Sequence, residues 1–246
     1  AAHTRLGDYH NFGMGAVDTD IDRAVRHYRD AVAGGDAPGA ATLAAMYRLG
    51  RGVPRDPARM VQLFEQAADS GYHFAQYQLA QILLTGEGVP EDLAAELSIP
   101  DAPRALGYLA GAAEAGNLQA ALDLARAYGE GIEGVAPDPE AQFRWTDMAA
   151  EAGAPQAIAA RAFLYEQGIG TDPDPDRAAA GYVAALETGE VDADTMRSLA
   201  TARPPAWDDA TARAFQVILQ DRGLYDGAID GIVGRGTMAG AAALAD

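Results

Sequence analysis

The chain has 246 residues with 36 acidic against 18 basic side chains, a formal charge of −18; 49% of residues are hydrophobic but only 7% aromatic. The apolar fraction excludes disorder as a description of the whole and provides for a sizeable core, while the charge excludes nucleic acid as a partner and contact of this segment with an anionic membrane surface. No cysteine is present, so disulfides and thiolate metal sites are ruled out, and no apolar run reaches the ~18 residues that span a bilayer.

Every basic residue is arginine; there is no lysine. The acidity serves solubility, and a sharper reading, an acidic face that selects a basic partner, stays open beside it. Ala1 to Asp8 lack the charged and then apolar run of a signal peptide. Leu6 to Gly15 overlay Leu43 to Gly52 column by column. Residues 1 to 12 therefore read as the second helix of a hairpin whose first helix is missing, and the chain is expected to be the C-terminal portion of something longer.

From there the sequence repeats. Gly35, Gly71, Gly116, Gly153 and Gly189 are separated by 36, 45, 37 and 36 residues. Four positions after them stand the small residues Gly39, Ala75, Ala120, Ala157 and Ala193, and fifteen after the first four stand Gly50, Gly86, Gly131 and Gly168. A bulky residue precedes each first glycine by seven or eight positions: Tyr28, Phe64, Tyr108 with Leu109, Trp145 and Tyr182. Small pairs come just before it, as Ala31-Val32, Ala67-Ala68, Ala112-Ala113 and Ala149-Ala150.

Each unit reads as two helices, A and B. The first glycine sits where a helix C-terminus needs a left-handed residue, and the second ends helix B. Asp56-Pro57 and Asp138-Pro139 place an acceptor at the N-cap and proline at the first helical position, and Asp22 and Asp176 fit the same capping role. Spacings such as Met60, Leu63, Phe64 and Ala67 give an apolar stripe that one hairpin alone leaves exposed. Stacked hairpins cover it.

Ala-Ala-x-x-Gly, an alanine four residues on, and Leu79-Ala80 through Gly86-Glu87-Gly88-Val89 resemble the Sel-one-like repeat, a short relative of the tetratricopeptide repeat. The resemblance covers about residues 1 to 200. It implies an all-α fold: an α-solenoid of stacked antiparallel helix pairs, right-handed, with a protein partner on its concave face. An insertion near Glu91 to Asp101 lengthens one interval and is expected to form an extra surface element, and the helix B pattern fails at Thr201 to Pro205.

Pro204-Pro205 breaks the helical pattern and marks a boundary, giving a repeat array over 1–203 and a small helical module over 204–246. In the module, Asp208 or Asp209 caps a helix carrying Ala212, Phe215, Ile218 and Leu219, glycines and Asp-Gly pairs demand tight turns, and Thr237 opens a final helix. Phe215-Gln216, Leu219, Gly223, Tyr225, Asp230-Gly231, Gly234 and Thr237 resemble the peptidoglycan-binding domain of the three-helix type. That resemblance implies the peptide stem of peptidoglycan as ligand, with Tyr225, Asp230, Arg235 and Thr237 as binding positions. Locally, Asp230 also reads as an Asx-turn, Thr237 as an N-cap, Tyr225 as core and Arg235 as a solvated side chain.

Catalytic and metal chemistry find no motif. His3, His10, His27 and His73 show no i, i+4 pair, so they read as ordinary helix residues and no metal site is expected. Asp172 to Asp176 begin like a calcium loop, but Arg177 and Val183 occupy its glycine and glutamate positions. The pairs Glu130/Glu133 and Glu87/Glu91 lie in loops between repeats and read as solvated, not as glycosidase acids. The Gly-x-Gly pairs follow a helix and not a strand, against a dinucleotide site. The expectation is a non-catalytic scaffold of the bacterial cell envelope, without cofactor, tethered to peptidoglycan. Its location would be periplasmic, as in bacterial polar-organelle scaffold proteins, where a membrane anchor precedes such an array and tail. Two alternatives stand beside it: a soluble adaptor whose tail only caps the array, and an accessory domain of a cell-wall hydrolase.

Overall fold

The computed structural model describes residues 1–15, 18–191 and 208–245. Ala193, the loss of pattern at Thr201 to Pro205 and the proline boundary lie outside the described residues. The described residues are helical and contain no β-sheet. Contacts divide the chain into two compact units, Ala1–Ala120 with Glu133–Val135, and Ala121–Ile132 with Ala136–Asp246.

In the first unit α1 (Ala2–Phe12), α2 (Ile21–Ala33), α3 (Ala37–Leu49), α4 (Pro57–Asp69) and α5 (His73–Thr85) pack each against the next. The insertion forms a short helix, α6 (Glu91–Glu96), with no buried residue, and α7 (Ala102–Glu114) resumes the stack against α5. α8 (Leu118–Glu130) spans the division. In the second unit α9 (Pro139–Glu151), α10 (Pro155–Gln167), α11 (Pro175–Leu186), α12 (Asp209–Asp221) and α13 (Arg235–Ala242) again pack in chain order. This is the all-α, stacked-hairpin class that the glycine spacing predicts.

The helix ends explain the sequence columns. Helix α2 closes with Gly35 at φ 74°, the left-handed region that suits glycine. Its amide donates to Val32 O at 3.0 Å, and the next amide, Asp36 N, donates to Ala31 O at 2.9 Å, the paired closure of a Schellman motif. The same two bonds recur at Gly71, Gly116 and Gly153, and their acceptors are the small pairs that precede each glycine. Helix B ends on Gly50, Gly86, Gly131 or Gly168, all with positive φ. Gly13 and Gly15 share that sign, so α1 has the terminus of a helix B, as its overlay on Leu43 to Gly52 predicts.

A second recurrence joins each helix B to the following helix A. The N-cap aspartates Asp20, Asp56, Asp101, Asp138 and Asp174 each accept from the amide three residues on, at 2.9–3.2 Å. Each also donates its own amide backwards, to His10 O, Tyr47 O, Leu83 O, Tyr128 O and Tyr165 O, at 2.8–3.3 Å. One residue thus caps the new helix and clasps the last turn of the old one. A cap of this kind contributes about 1 kcal/mol. The caps are Asp20 and Asp174, not Asp22 and Asp176: Pro175 at the first helical position fixes the start of α11, so its cap must precede it, and Asp22 and Asp176 lie in first turns, where an acid still favours the helix dipole.

Between the ends, the bulky column is the core. Tyr28, Phe64, Leu109, Trp145 and Tyr182 are all buried, and Leu109, not its neighbour Tyr108, takes the inward position in its unit. Burying Phe64 or Leu63 contributes roughly 1.5–3 kcal/mol each. Close approach is what the small column supplies: a Cβ on Gly39 would lie 2.5 Å from Ala31 Cβ. The fourth and fifth helices of the second unit share its core, where Tyr182 and Leu186 of α11 pack with Phe215 and Leu219 of α12 and Ala241 of α13.

Among the described residues of that unit two carboxylates are buried, Asp123 and Glu166, and the second ties helices together. Glu166 on α10 is 7% exposed and accepts from Tyr182 OH at 2.6 Å and from Asp208 N at 2.8 Å. Burial raises its pKa, against the lowering effect of those two donors, and burial likewise pushes the Tyr182 phenol up.

Two measurements test this account. Gly35→Ala, where a Cβ meets nothing within 4 Å, should cost about 1–2 kcal/mol from backbone strain alone. Gly52→Ala adds a clash, since its Cβ would lie 2.3 Å from Ile21 Cγ2, so its urea midpoint should fall further; equal midpoints would contradict the packing. A raised Glu166 pKa means that the folded state holds that proton more tightly. Its contribution is therefore fully present below the ordinary glutamate value of 4.5 and is lost as pH rises through the raised value. Across that window wild type should lose stability relative to Glu166→Gln in urea unfolding; a constant difference would contradict it.

Candidate functional site

The module is organised by one buried amide. Gln216 of α12 is fully buried. Its Nε2 donates to Asp230 Oδ1 and Ile232 O, both at 3.1 Å, and lies 3.4 Å from Thr237 Oγ1 and 3.5 Å from Tyr225 OH. Its Oε1 accepts from Gly231 N at 3.0 Å. A carboxamide has donors on one arm and an acceptor on the other, so this side chain holds both sides of the Asp230-Gly231-Ile232 turn.

The turn needs its glycine. Gly231 has φ 80°, and a Cβ there would meet Asp209 O at 3.0 Å. Asp230 also accepts from Ile232 N at 2.8 Å, the Asx-turn of the local reading. That backbone bond, and then Gln216, hold its carboxyl below the usual carboxylate range. Tyr225 is half-buried and donates to Ala228 O at 2.8 Å.

Three of the four residues picked out from sequence, Tyr225, Asp230 and Thr237, therefore meet around Gln216. Asp230 remains exposed, whereas Thr237 is buried with its hydroxyl toward the amide. The final helix begins at Arg235 with Gly234 at its N-cap, two residues before Thr237, so Thr237 lies in the first turn and not at the cap. Arg235 is exposed, and its neighbour Gly236 lies against the Tyr225 ring, where a Cβ would sit 3.2 Å away. Asp208 caps α12, accepting from Ala210 N and Thr211 N, while Asp209 follows it in the first turn.

The repeats present open grooves at one recurring station. In the first unit a groove of about 330 Å³ lies between Pro57 and Met60 at the start of helix A and Gly88-Val89 after helix B, with Arg48 and Arg55 on its wall. In the second unit a groove of about 700 Å³ takes the same place, between Pro139 and Gly168 to Asp172, with Asp138 and Glu140 on its wall. The backbone geometry is shared and the charge is opposite. A third groove, of about 510 Å³, runs between α11 and α12 along Pro175, Asp176, Arg213 and Val217. None was visible in the sequence, because helix starts and loops more than 25 residues apart meet only in the stack.

The histidines also come together. His3 and His10 on α1 face His27 on α2, with ring centroids 5.7 Å and 5.6 Å from that of His27, and the His10 and His27 rings are stacked. His3 Nδ1 lies 3.7 Å from Asp30 Oδ2. His10 Nδ1 and His27 Nδ1 are shielded from solvent without a hydrogen-bond partner. Burial, and then the two neighbouring imidazoles, hold the His27 pKa down. An i, i+4 pair lies within one helix; this group is built across two.

The Sel1 repeat family matches residues 1–36, 37–72, 73–117, 118–153 and 155–180. The chain belongs to this family, whose repeat is a fold for protein–protein interaction. Its solved structures include a Sel1 repeat protein from Oxalobacter formigenes, with TM-score 0.64 and 24% identity over 89% of this chain and 87% of that one. A protective antigen of uropathogenic Escherichia coli strains displaying an SLR fold matches with TM-score 0.52 and 22% identity over 99% of this chain and 59% of that one. Both show the fold. Among curated relatives, chitin synthase regulatory factor 3 of Schizosaccharomyces pombe is 33% identical over 160 residues, 61% of this chain. The chain spans 16% of that protein's length.

Replacing Gln216 by Leu keeps the volume but leaves the Gly231 amide and the Asp230 turn without their shared partner. An unsatisfied buried group costs about 1–3 kcal/mol. Gln216→Leu should lower the urea midpoint accordingly and speed amide hydrogen exchange at Gly231; protection equal to wild type would contradict the role given to this side chain.

Proposed function

We propose that this protein is a non-catalytic scaffold of the bacterial cell envelope: the array, 1–203, engages a protein partner, and the module, 204–246, attaches to the peptide stem of peptidoglycan. The observation that carries the reading is the turn clasped by Gln216. It presents an exposed Asp230 and holds Tyr225 against the backbone beside an exposed Arg235. A rigid turn with an adjacent guanidinium suits a ligand that ends in carboxylates, since arginine pairs with them through two parallel hydrogen bonds. In this reading Arg235 pairs with a carboxylate of the ligand, Asp230 accepts from its N–H groups, and Tyr225 and Thr237 shape the turn. The compartment that follows is the periplasm.

The partner of the array is a protein with both charge signs on its contact surface, lying along the concave side expected of such a stack. The repeated groove with arginines in one unit and acids in the other supports that choice. A second reading has its own support. Because α12 and α13 complete the core of α11, the module also serves as an end cap, and a cap needs no ligand.

Incubation of the purified chain with insoluble peptidoglycan at physiological salt, followed by sedimentation, separates the two. The envelope reading expects retention, reduced about tenfold in affinity by Arg235→Ala, with unchanged far-UV circular dichroism. Absence of wild-type retention would sink it and leave the cap.

A further inference from the structure

We propose that His3, His27 and Asp30 form a binding site for a transition-metal ion of the zinc class, bridging α1 and α2. Each offers one ligand atom, and these atoms all lie within 4.8 Å of one another. The site is assembled from one residue near the start of α1 and two residues spaced i, i+3 on α2, a spacing that puts both on one helix face. It does not depend on the envelope reading.

Two imidazoles and a carboxylate suit zinc, nickel, cobalt or copper, whereas magnesium and calcium select oxygen ligands. Tetrahedral zinc with bonds of about 2.0–2.1 Å sets its ligand atoms about 3.4 Å apart. Closing to that spacing asks for rotamer changes at His3 and Asp30, both exposed and able to move. His27 is half-buried and is the fixed member, its ring held by stacking on His10. A second observation points the same way. Buried polar atoms normally have partners, yet His27 Nδ1 and His10 Nδ1 have none. Coordination through Nδ1 of His27 gives that atom the partner it lacks, while His10, outside the ligand set, stacks on the ring and holds it.

The test uses the tag-free full chain, stripped with chelator and titrated with Zn²⁺ in a calorimeter, with Mg²⁺ as the control ion. The expected result is one saturable Zn²⁺ per chain, no heat from Mg²⁺, a higher melting temperature in Zn²⁺, and visible absorption bands when Co²⁺ replaces Zn²⁺. Each of His3→Gln, His27→Gln and Asp30→Asn should weaken Zn²⁺ binding by about tenfold or more, while His73→Gln, an exposed histidine on α5, should leave it unchanged. Circular dichroism checks the fold of each variant. Should His27→Gln unfold, the two exposed positions decide the matter. No saturable binding, or equal affinity in His3→Gln and Asp30→Asn, overturns the proposal.

Discussion

The structure depends on how each helix ends. A left-handed glycine stops helix A and turns the chain within about three residues, so helix B must lie back against the helix it has just left. An aspartate after helix B then does two things at once. Its carboxylate caps the next helix and its amide returns to a carbonyl in the last turn of the previous one. Neither bond is worth much alone, about 1 kcal/mol apiece. Repeated at every junction, they fix where each hairpin starts relative to the one before. Apolar burial supplies the bulk of the stabilisation; the termini decide which surfaces it joins.

The same logic extends to the module. Asp208 caps α12 as the repeat aspartates cap their helices, and its amide also points back to a helix B. There the acceptor is a side chain, the buried carboxylate of Glu166, which also receives the Tyr182 hydroxyl. A carboxylate in that place costs desolvation that a backbone carbonyl does not, and its raised pKa is the sign of that cost. In exchange it ties three helices to one point. The insertion shows the rule from the other side: α6 is added before Asp101, and Asp101 still reaches Leu83 O, so the stack continues without a change of register.

With the backbone fixed in this way, side chains at equivalent stations are free to differ. Arg48 and Arg55 line one groove, and Asp138 and Glu140 its counterpart. Such stations leave positive ground at one repeat and negative ground at another, within a chain of formal charge −18. This is how an interaction fold acquires a partner without altering its core, and why fold and partner are separate questions here.

Much of the fold was legible in the residues. Glycine, aspartate-proline and small-residue columns report local backbone requirements, and local requirements can be read one position at a time; the helix pairs, the left-handed closures and the extra element at Glu91 all follow from them, whereas the choice of Asp208 over Asp209 as the cap of α12 does not. The cap Asp20 was less legible, because Asp22 stands near the same helix start and only backbone geometry chooses between them; at α11 it is Pro175 that sets the choice of Asp174 over Asp176. Tyr225, Asp230 and Thr237 could be named from the motif, but that Thr237 turns inward to Gln216 while Asp230 stays in water could not. Those differences arise from contacts between residues 14 and 21 positions apart. The histidine cluster and the grooves were invisible for the same reason. Sequence by itself determined where this chain turns, since a turn is a property of a few neighbouring residues. Tertiary structure alone decided which side chains meet, since that depends on how far and at what angle one finished helix lies against another.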